Sequence, residues 1–150
     1  MSNLSCKTNK ELCETYKFLI PRNRFTDEPD TSYKFTELDI WPKGWRLAFG
    51  EKFCKDLKDA CIKTNCLDDI RILDCKEKFG YLHIYLNGYN KEIRDVISKY
   101  TQLSKHTCIN CGKPATKITT DWISPFCDDC IDLVNDSYMN IEDWFDDADN

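Results

Sequence analysis

The sequence predicts an α+β protein, in which helices pack on a β-hairpin or small antiparallel sheet and a small cysteine-rich module follows. Three observations support this: segments with helical spacing of apolar residues, two short alternating strands around a glycine, and two Cys-x-x-Cys pairs near the C-terminal end. The 150 residues are 41% hydrophobic and 13% aromatic. This composition is sufficient for one compact core.

Three segments have the apolar periodicity of amphipathic helices. The first covers residues 9–20 and ends at Pro21, because the residue before a proline is disfavoured in helical geometry. The second runs from Gly44 to about Thr64, and the third covers roughly residues 90–104. Their apolar stripes are Leu12, Tyr16 and Leu19; Trp45, Phe49, Phe53, Leu57 and Cys61; and Ile93, Val96, Ile97, Tyr100 and Leu103.

A β-hairpin is predicted between the second and third helices. Residues 70–75 and 81–86 form its strands, and residues 76–80 connect them with Gly80 at a position of positive φ. In the second strand Leu82, Ile84 and Leu86 alternate with Tyr81, His83 and Tyr85. One face is therefore expected in the core, and the aromatic face is either covered by a helix or exposed.

Two cysteine pairs have the spacing of a tetrahedral zinc site. Cys108 and Cys111 form the first pair, Cys127 and Cys130 the second, and fifteen residues separate them. Four thiolates would close the coordination shell, so we predict one structural zinc rather than a catalytic one. A disulfide framework, or His106 replacing one cysteine as a ligand, are the alternatives.

The segment around these pairs predicts a treble clef, with a plain zinc ribbon as the close alternative. Gly112 allows a tight knuckle after Cys111, residues 115–123 are β-prone, and the run from Ile131 to Tyr138 is predicted to be helical. The second pair would then lie at the start of that helix. Asp128 and Asp129 suit the positive helix end.

Six further cysteines lie outside this pattern. We interpret them as buried free thiols, since cysteine packs as a small hydrophobic residue. A second metal site built from some of them is the alternative. The six are Cys6, Cys13, Cys54, Cys61, Cys66 and Cys75.

The chain divides by charge as well as by pattern. We predict an α+β body over residues 1–107, a cysteine module over 108–138 and an acidic tail over 139–150. Residues 108–150 contain two basic and ten acidic residues, whereas the rest is nearly balanced. The candidate partner-binding residues of this acidic region are Asp128, Asp129, Asp132, Asp143, Trp144, Phe145, Asp146 and Asp147.

This asymmetry favours a non-enzymatic interaction protein that binds a basic partner, such as a nucleic-acid-handling protein. Direct nucleic-acid binding through Arg71, Lys76, Lys78, His83 and Tyr85 is the first alternative, although the pI near 5.1 opposes it.

An enzyme with a site around Glu77, His83 and Tyr85 is the second alternative, although no catalytic motif is present. No apolar run reaches the length of a membrane span, and the first residues lack a secretory pattern. A cytoplasmic location is therefore expected.

The order of motifs over residues 41–131 resembles a family of small bacteriophage and prophage proteins. The similarity lies in Gly44-Trp45, the segment Lys76-Glu-Lys-Phe-Gly-Tyr-Leu-His-Ile-Tyr85, Glu92-Ile93, the segment His106-Thr-Cys-Ile-Asn-Cys-Gly112, and Trp122 before Cys127-Asp-Asp-Cys130. This chain has Tyr81 where the family commonly has glycine and His83 where it commonly has arginine. The resemblance implies a phage or mobile-element setting, in which the partner would be a host or defence protein that the chain inhibits. It implies no catalytic residues.

Overall fold

The computed structural model describes residues 7–148 and shows an α+β fold. The main helices of the body are α1 (Asn9–Thr15), α2 (Lys43–Trp45), α3 (Glu51–Lys63) and α4 (Lys91–Lys105). A π-helical segment, Arg46–Gly50, joins α2 to α3 without a break, and 3₁₀ turns occupy Lys17–Leu19 and Glu37–Ile40. Within residues 7–148 no helix is both long and apolar enough to cross a bilayer.

Two small antiparallel sheets complete the fold. Strands β1 (Ile72–Lys78) and β2 (Tyr81–Leu86) form the predicted hairpin. Strands β3 (Lys117–Thr119), β4 (Pro125–Phe126) and β5 (Tyr138–Asn140) form a second sheet in the order β4-β3-β5. Helices α5 (Asp128–Ile131) and α6 (Ile141–Ala148) follow β4 and β5 respectively.

The body core lies between the helices and the inner face of the hairpin. Trp45, Phe53 and Leu57 of the second helical segment are fully buried, as is Leu82 of β2. Trp41 and Phe53 contact each other with ring centroids 5.4 Å apart. The helical and strand periodicities place Trp45, Phe53, Leu57 and Leu82 on the apolar faces, as observed. Leu103 of the third predicted stripe is instead 42% exposed.

Helix α4 covers the free edge of β2. The Ser104 hydroxyl accepts from the Leu82 N–H at 2.9 Å, and the Thr101 hydroxyl donates to the Leu82 carbonyl at 3.3 Å. The hydroxyl of Tyr89 accepts from the Leu86 N–H. These side chains satisfy backbone groups that a strand edge would otherwise present for pairing with another chain.

Four predicted boundaries differ from the observed ones. The first helix ends at Thr15, because Tyr16 leaves helical geometry (φ −124°, ψ 87°) and its ring packs against Phe18. The π-helical segment inside the second helix was not predicted. The hairpin loop is two residues rather than five, since Phe79 (φ 57°) and Gly80 (φ 85°) form the turn. Lys76 and Lys78 therefore lie in β1.

The fourth difference concerns the segment after Cys130. The helix predicted to reach Tyr138 ends at Ile131, and Tyr138 begins β5. Asp136 accepts hydrogen bonds from the backbone of Asp121 and Trp122, and Thr119 pairs with Tyr138 in the sheet. The predicted boundary between module and tail at 138/139 falls inside β5, so the acidic segment continues the sheet of the module.

Candidate metal centre

The structure brings the four predicted cysteines of the C-terminal module together. Their Sγ atoms all lie within 4.8 Å of one another, and those of Cys111 and Cys127 are 3.6 Å apart. Cys108 and Cys111 come from a tight knuckle, which Gly112 closes at φ 86°. Cys127 is the N-cap of α5 and Cys130 lies within that helix. The order of knuckle, hairpin and helix start is that of the predicted treble clef, with a helix of four residues.

Backbone amides of the knuckle point at sulfur. Burial of Cys108 opposes ionisation, but the N–H groups of Cys111, Cys127 and Asn110 outweigh it and lower the pKa of the Cys108 thiol to about 7. Burial, together with the neighbouring thiols, raises the pKa of Cys111 to about 12. Without a cation the thiols of Cys108 and Cys111 therefore do not ionise together. A divalent metal supplies the charge that four thiolates require.

The donor set fits a tetrahedral thiolate-binding metal. Zn–S bonds of about 2.3 Å place the sulfurs of a tetrahedron about 3.8 Å apart, close to the separation of Cys111 and Cys127. Asn110, which the sequence analysis did not select, donates from its side chain to Cys130 Sγ at 3.3 Å. In the sequence, the position of Asn110 between Cys108 and Cys111 was the one feature that indicated a contact with a metal ligand. Such outer contacts orient the ligands.

The knuckle packs directly on the body helix. The Gly44 N–H donates to the Ile109 carbonyl at 2.9 Å, and Trp45 Nε1 donates to the Thr107 carbonyl at 2.9 Å. A Cβ at Gly44 would lie 2.7 Å from the Ile109 carbonyl carbon, so only glycine fits this approach. Ile109 packs against both the body core and the small core of the module.

The other described cysteines lie away from this cluster. Cys13, Cys54, Cys61 and Cys75 are buried free thiols and Cys66 is half-buried. Burial raises the pKa of Cys61 and Cys75 to about 12. Among residues 7–148, the only group of three or more potential ligands that gathers is the C-terminal four. Cys6 lies outside the described residues.

His106 is not part of the cluster. It lies at the C-cap of α4, and its ring contacts that of Phe145 with centroids 4.7 Å apart. This contact holds α6 against the end of α4. The alternative of His106 as a ligand is therefore not supported by the geometry.

The candidate acidic residues lie around the metal centre and along α6. Asp128 accepts from the Thr116 hydroxyl, and Asp129 forms an ion pair with Lys113 at 3.2 Å. Trp144 and Phe145 are half-buried on the inner side of α6. Exposed carboxylates are those of Asp128, Asp129, Asp132, Asp143 and Asp146, while Asp147 lies in α6.

The candidate hairpin residues separate into two groups. Lys76, Lys78, His83 and Tyr85 share the outer face of β1 and β2. Arg71 lies before β1 and pairs with Asp27 at 2.5 Å. His83 Nε2 contacts the Lys78 carbonyl at 3.1 Å. Glu77 faces the other side of the strand, where it accepts from the Gly80 N–H, so it does not join His83 and Tyr85 in one site.

Comparison with protein-family models, curated proteins and solved structures gave no match.

Proposed function

We propose that this protein is a non-enzymatic interaction protein, in which a structural Zn²⁺ held by Cys108, Cys111, Cys127 and Cys130 supports an acidic surface that binds a basic partner. The observation that carries the proposal is the separation of charge in the folded chain. Four soft thiolates favour zinc among the common divalent metals.

Ion pairs neutralise the body but not the module. Arg46 pairs with Asp39 at 2.6 Å, Lys99 with Asp56 at 3.1 Å, and Lys63 with Glu92 at 3.4 Å. Residues 108–150 contain two lysines and ten acidic residues. Lys113 pairs with Asp129, and Lys117 donates to the neutral Asn140 at 2.7 Å. The module therefore keeps a large negative charge at its surface.

Helix α6 is held in place by apolar packing and by the acidic residues of its first turn. Ile141 is buried and Phe145 contacts His106, while Glu142 and Asp143 suit the positive start of the helix. Charge complementarity between this acidic helix and a basic partner would accelerate their association.

In a phage or mobile-element setting the partner would be a host or defence protein that handles nucleic acid. A compact acidic surface competes with the phosphate backbone for a basic channel, because both bind through cationic side chains. Occupation of that channel would inhibit the partner.

The test compares two variants of equal charge change. In the first, called the module variant, Asp132→Asn, Glu142→Gln and Asp143→Asn neutralise exposed acids of the module and of α6. In the matched control, Glu14→Gln, Glu28→Gln and Asp68→Asn neutralise exposed acids of the body. Each protein is used to capture partners from bacterial lysate, and the recovered protein is purified and titrated at several salt concentrations.

We expect a basic protein to be retained by the wild type and the control, with affinity that falls as salt rises, and to be lost with the module variant. Retention by all three proteins, or the absence of any basic protein, would contradict the proposal.

A further inference from the structure

A row of aromatic rings runs along the outer face of the hairpin. Tyr81, His83 and Tyr85 alternate with the buried residues of β2, so all three rings share one side. The centroids of Tyr81 and His83 are 4.4 Å apart, and those of His83 and Tyr85 are 6.5 Å apart with planes within 17° of parallel. Tyr85 is 43% exposed, so the row faces solvent at this end.

Lysines border this row. Lys76 is paired with His83 in register, and Lys78 with Tyr81. The ammonium of Lys105, at the end of α4, lies 4.8 Å from the Tyr81 ring centroid, and that of Lys76 lies 5.5 Å from the Tyr85 centroid. The outer face carries Asp74 as its acidic residue, which pairs with Lys76 at 3.4 Å. The surface is thus locally cationic in an acidic protein.

Two further exposed aromatic side chains follow the row beyond Tyr81, on the side of the hairpin turn. Phe79 in the turn and Trp122 in the β3–β4 loop are 63% and 74% exposed. They line a cavity of about 370 Å³ together with Lys78, Ile123 and the acidic residues Glu77 and Asp121. The Lys78 ammonium lies 5.3 Å from the Phe79 ring centroid, so this residue borders both the strand face and the cavity. A cavity of this size accommodates a small planar group.

We propose that the outer face of the β1–β2 hairpin binds single-stranded nucleic acid. A base stacks on the exposed ring of Tyr85, which the stacked Tyr81 and His83 rings support from behind, and phosphates pair with Lys76, Lys78 and Lys105. Interleaved aromatic and cationic side chains on a strand face are the features that unstacked bases and their backbone require. A duplex hides its base faces, and a free phosphate makes no use of the rings.

This site is separate from the acidic surface. Both the ring row and its lysines belong to the hairpin and α4, whereas the proposed protein-binding surface belongs to the module and α6. The negative module repels phosphate, which restricts the strand to the hairpin side of the molecule. The two proposals can therefore fail independently.

The test measures fluorescence anisotropy of labelled twelve-nucleotide oligo(dT) and oligo(U), with a duplex of the same length for comparison. Two stacking variants, Tyr81→Val and Tyr85→Val, keep a β-prone residue in the strand. The matched control is Tyr138→Val, an exposed tyrosine in β5. We expect each stacking variant to bind single strands at least about fivefold more weakly, and the control to bind as the wild type.

A second comparison separates phosphate contacts from total charge. The variant Lys76→Gln, Lys78→Gln, Lys105→Gln should reduce the slope of log K against log salt concentration by about 2, because each phosphate contact contributes about 0.7 for single strands. The control Lys10→Gln, Lys43→Gln, Lys52→Gln removes the same charge from other exposed positions and should leave the slope unchanged.

Three results would overturn the proposal: wild-type affinity in both stacking variants, equal binding of duplex and single strands, or no binding of either oligonucleotide at low salt. Stronger binding of oligo(U) or of oligo(dT) would identify RNA or DNA as the preferred strand, and both agree with the site. Capture of a basic protein by the acidic surface should be the same in all of these variants.

Discussion

Gly44 shows how one residue holds the cysteine module against the body. Its N–H donates to the Ile109 carbonyl, and a Cβ would lie 2.7 Å from both the carbon and the oxygen of that carbonyl. We expect Gly44→Ala to lower the free energy of unfolding by about 1–3 kcal/mol, because backbone must move to admit the methyl group. Denaturant unfolding of the metal-loaded protein measures this.

Gly88→Ala is the matched control for this prediction. No atom lies within 4 Å of a Cβ at Gly88, so the change should stay within about 0.5 kcal/mol of the wild type. Equal free energies of unfolding for Gly44→Ala and Gly88→Ala would contradict the close approach of Gly44 to the Ile109 carbonyl.

Residue-scale prediction from the sequence succeeded where the residue type itself dictates the outcome. The positive φ of Gly80 and the gathering of the four cysteines followed from glycine chemistry and ligand spacing. Phe79 at positive φ was not predicted, because an aromatic residue disfavours that conformation and only the two-residue turn requires it. The contact of His106 with Phe145 depends on tertiary packing that no local pattern encodes.

Helices α3 and α4 are joined by a half-buried polar contact as well as by their apolar faces. The Tyr100 hydroxyl donates to the Asp56 carboxylate, and Lys99 pairs with the same oxygen at 3.1 Å. We expect Tyr100→Phe to lower the free energy of unfolding by about 1–2 kcal/mol at neutral pH, because a charged acceptor loses a donor. Chemical denaturation checks this, with Tyr138→Phe, an exposed tyrosine, as the control.

The same contact predicts a pH dependence. The Tyr100 hydrogen bond, followed by that of Lys99, lowers the pKa of Asp56 below 3.8. A lowered carboxyl pKa contributes stability that is complete above the unfolded value and is lost as pH falls through the folded value. The difference in free energy of unfolding between the wild type and Tyr100→Phe should therefore become smaller below about pH 4. A constant difference down to pH 2 would contradict this assignment.

Element-scale prediction was accurate where periodicity is long. Helix α4 was placed within one residue at each end, because its apolar stripe spans four turns. The short elements after Cys130 were misplaced, since the pairing of β5 with β3 decides their conformation and involves residues about twenty positions apart. The π-helical segment at Arg46–Gly50 lies where α2 meets the knuckle, and no feature of its sequence marks it.

At the scale of the whole molecule, the metal centre and the body should unfold together. Removal of the metal with a strong chelator is expected to lower the free energy of unfolding by about 5 kcal/mol or more, since the folded state then loses the free energy of metal binding. Circular dichroism follows the loss of structure, and native mass spectrometry should show one zinc per chain before chelation.

Two cysteine variants sharpen this prediction. Cys108→Ser removes a fully buried ligand and should abolish stoichiometric zinc, whereas Cys66→Ser changes a half-buried thiol outside the cluster and should retain it. When Co²⁺ replaces zinc, Cys66→Ser should show the charge-transfer absorption of thiolate ligands, and Cys108→Ser should not. Full zinc content in Cys108→Ser would exclude the tetrathiolate site.

Through Ile109, the metal should stabilise the body core as well as the cysteine module. This half-buried residue follows the first ligand directly and packs against both hydrophobic cores. Release of the ion would withdraw a side chain from the body core and uncover apolar surface there, which proteases recognise in partly opened chains. Zinc supply, and not synthesis alone, would then set how much of this protein survives in a cell.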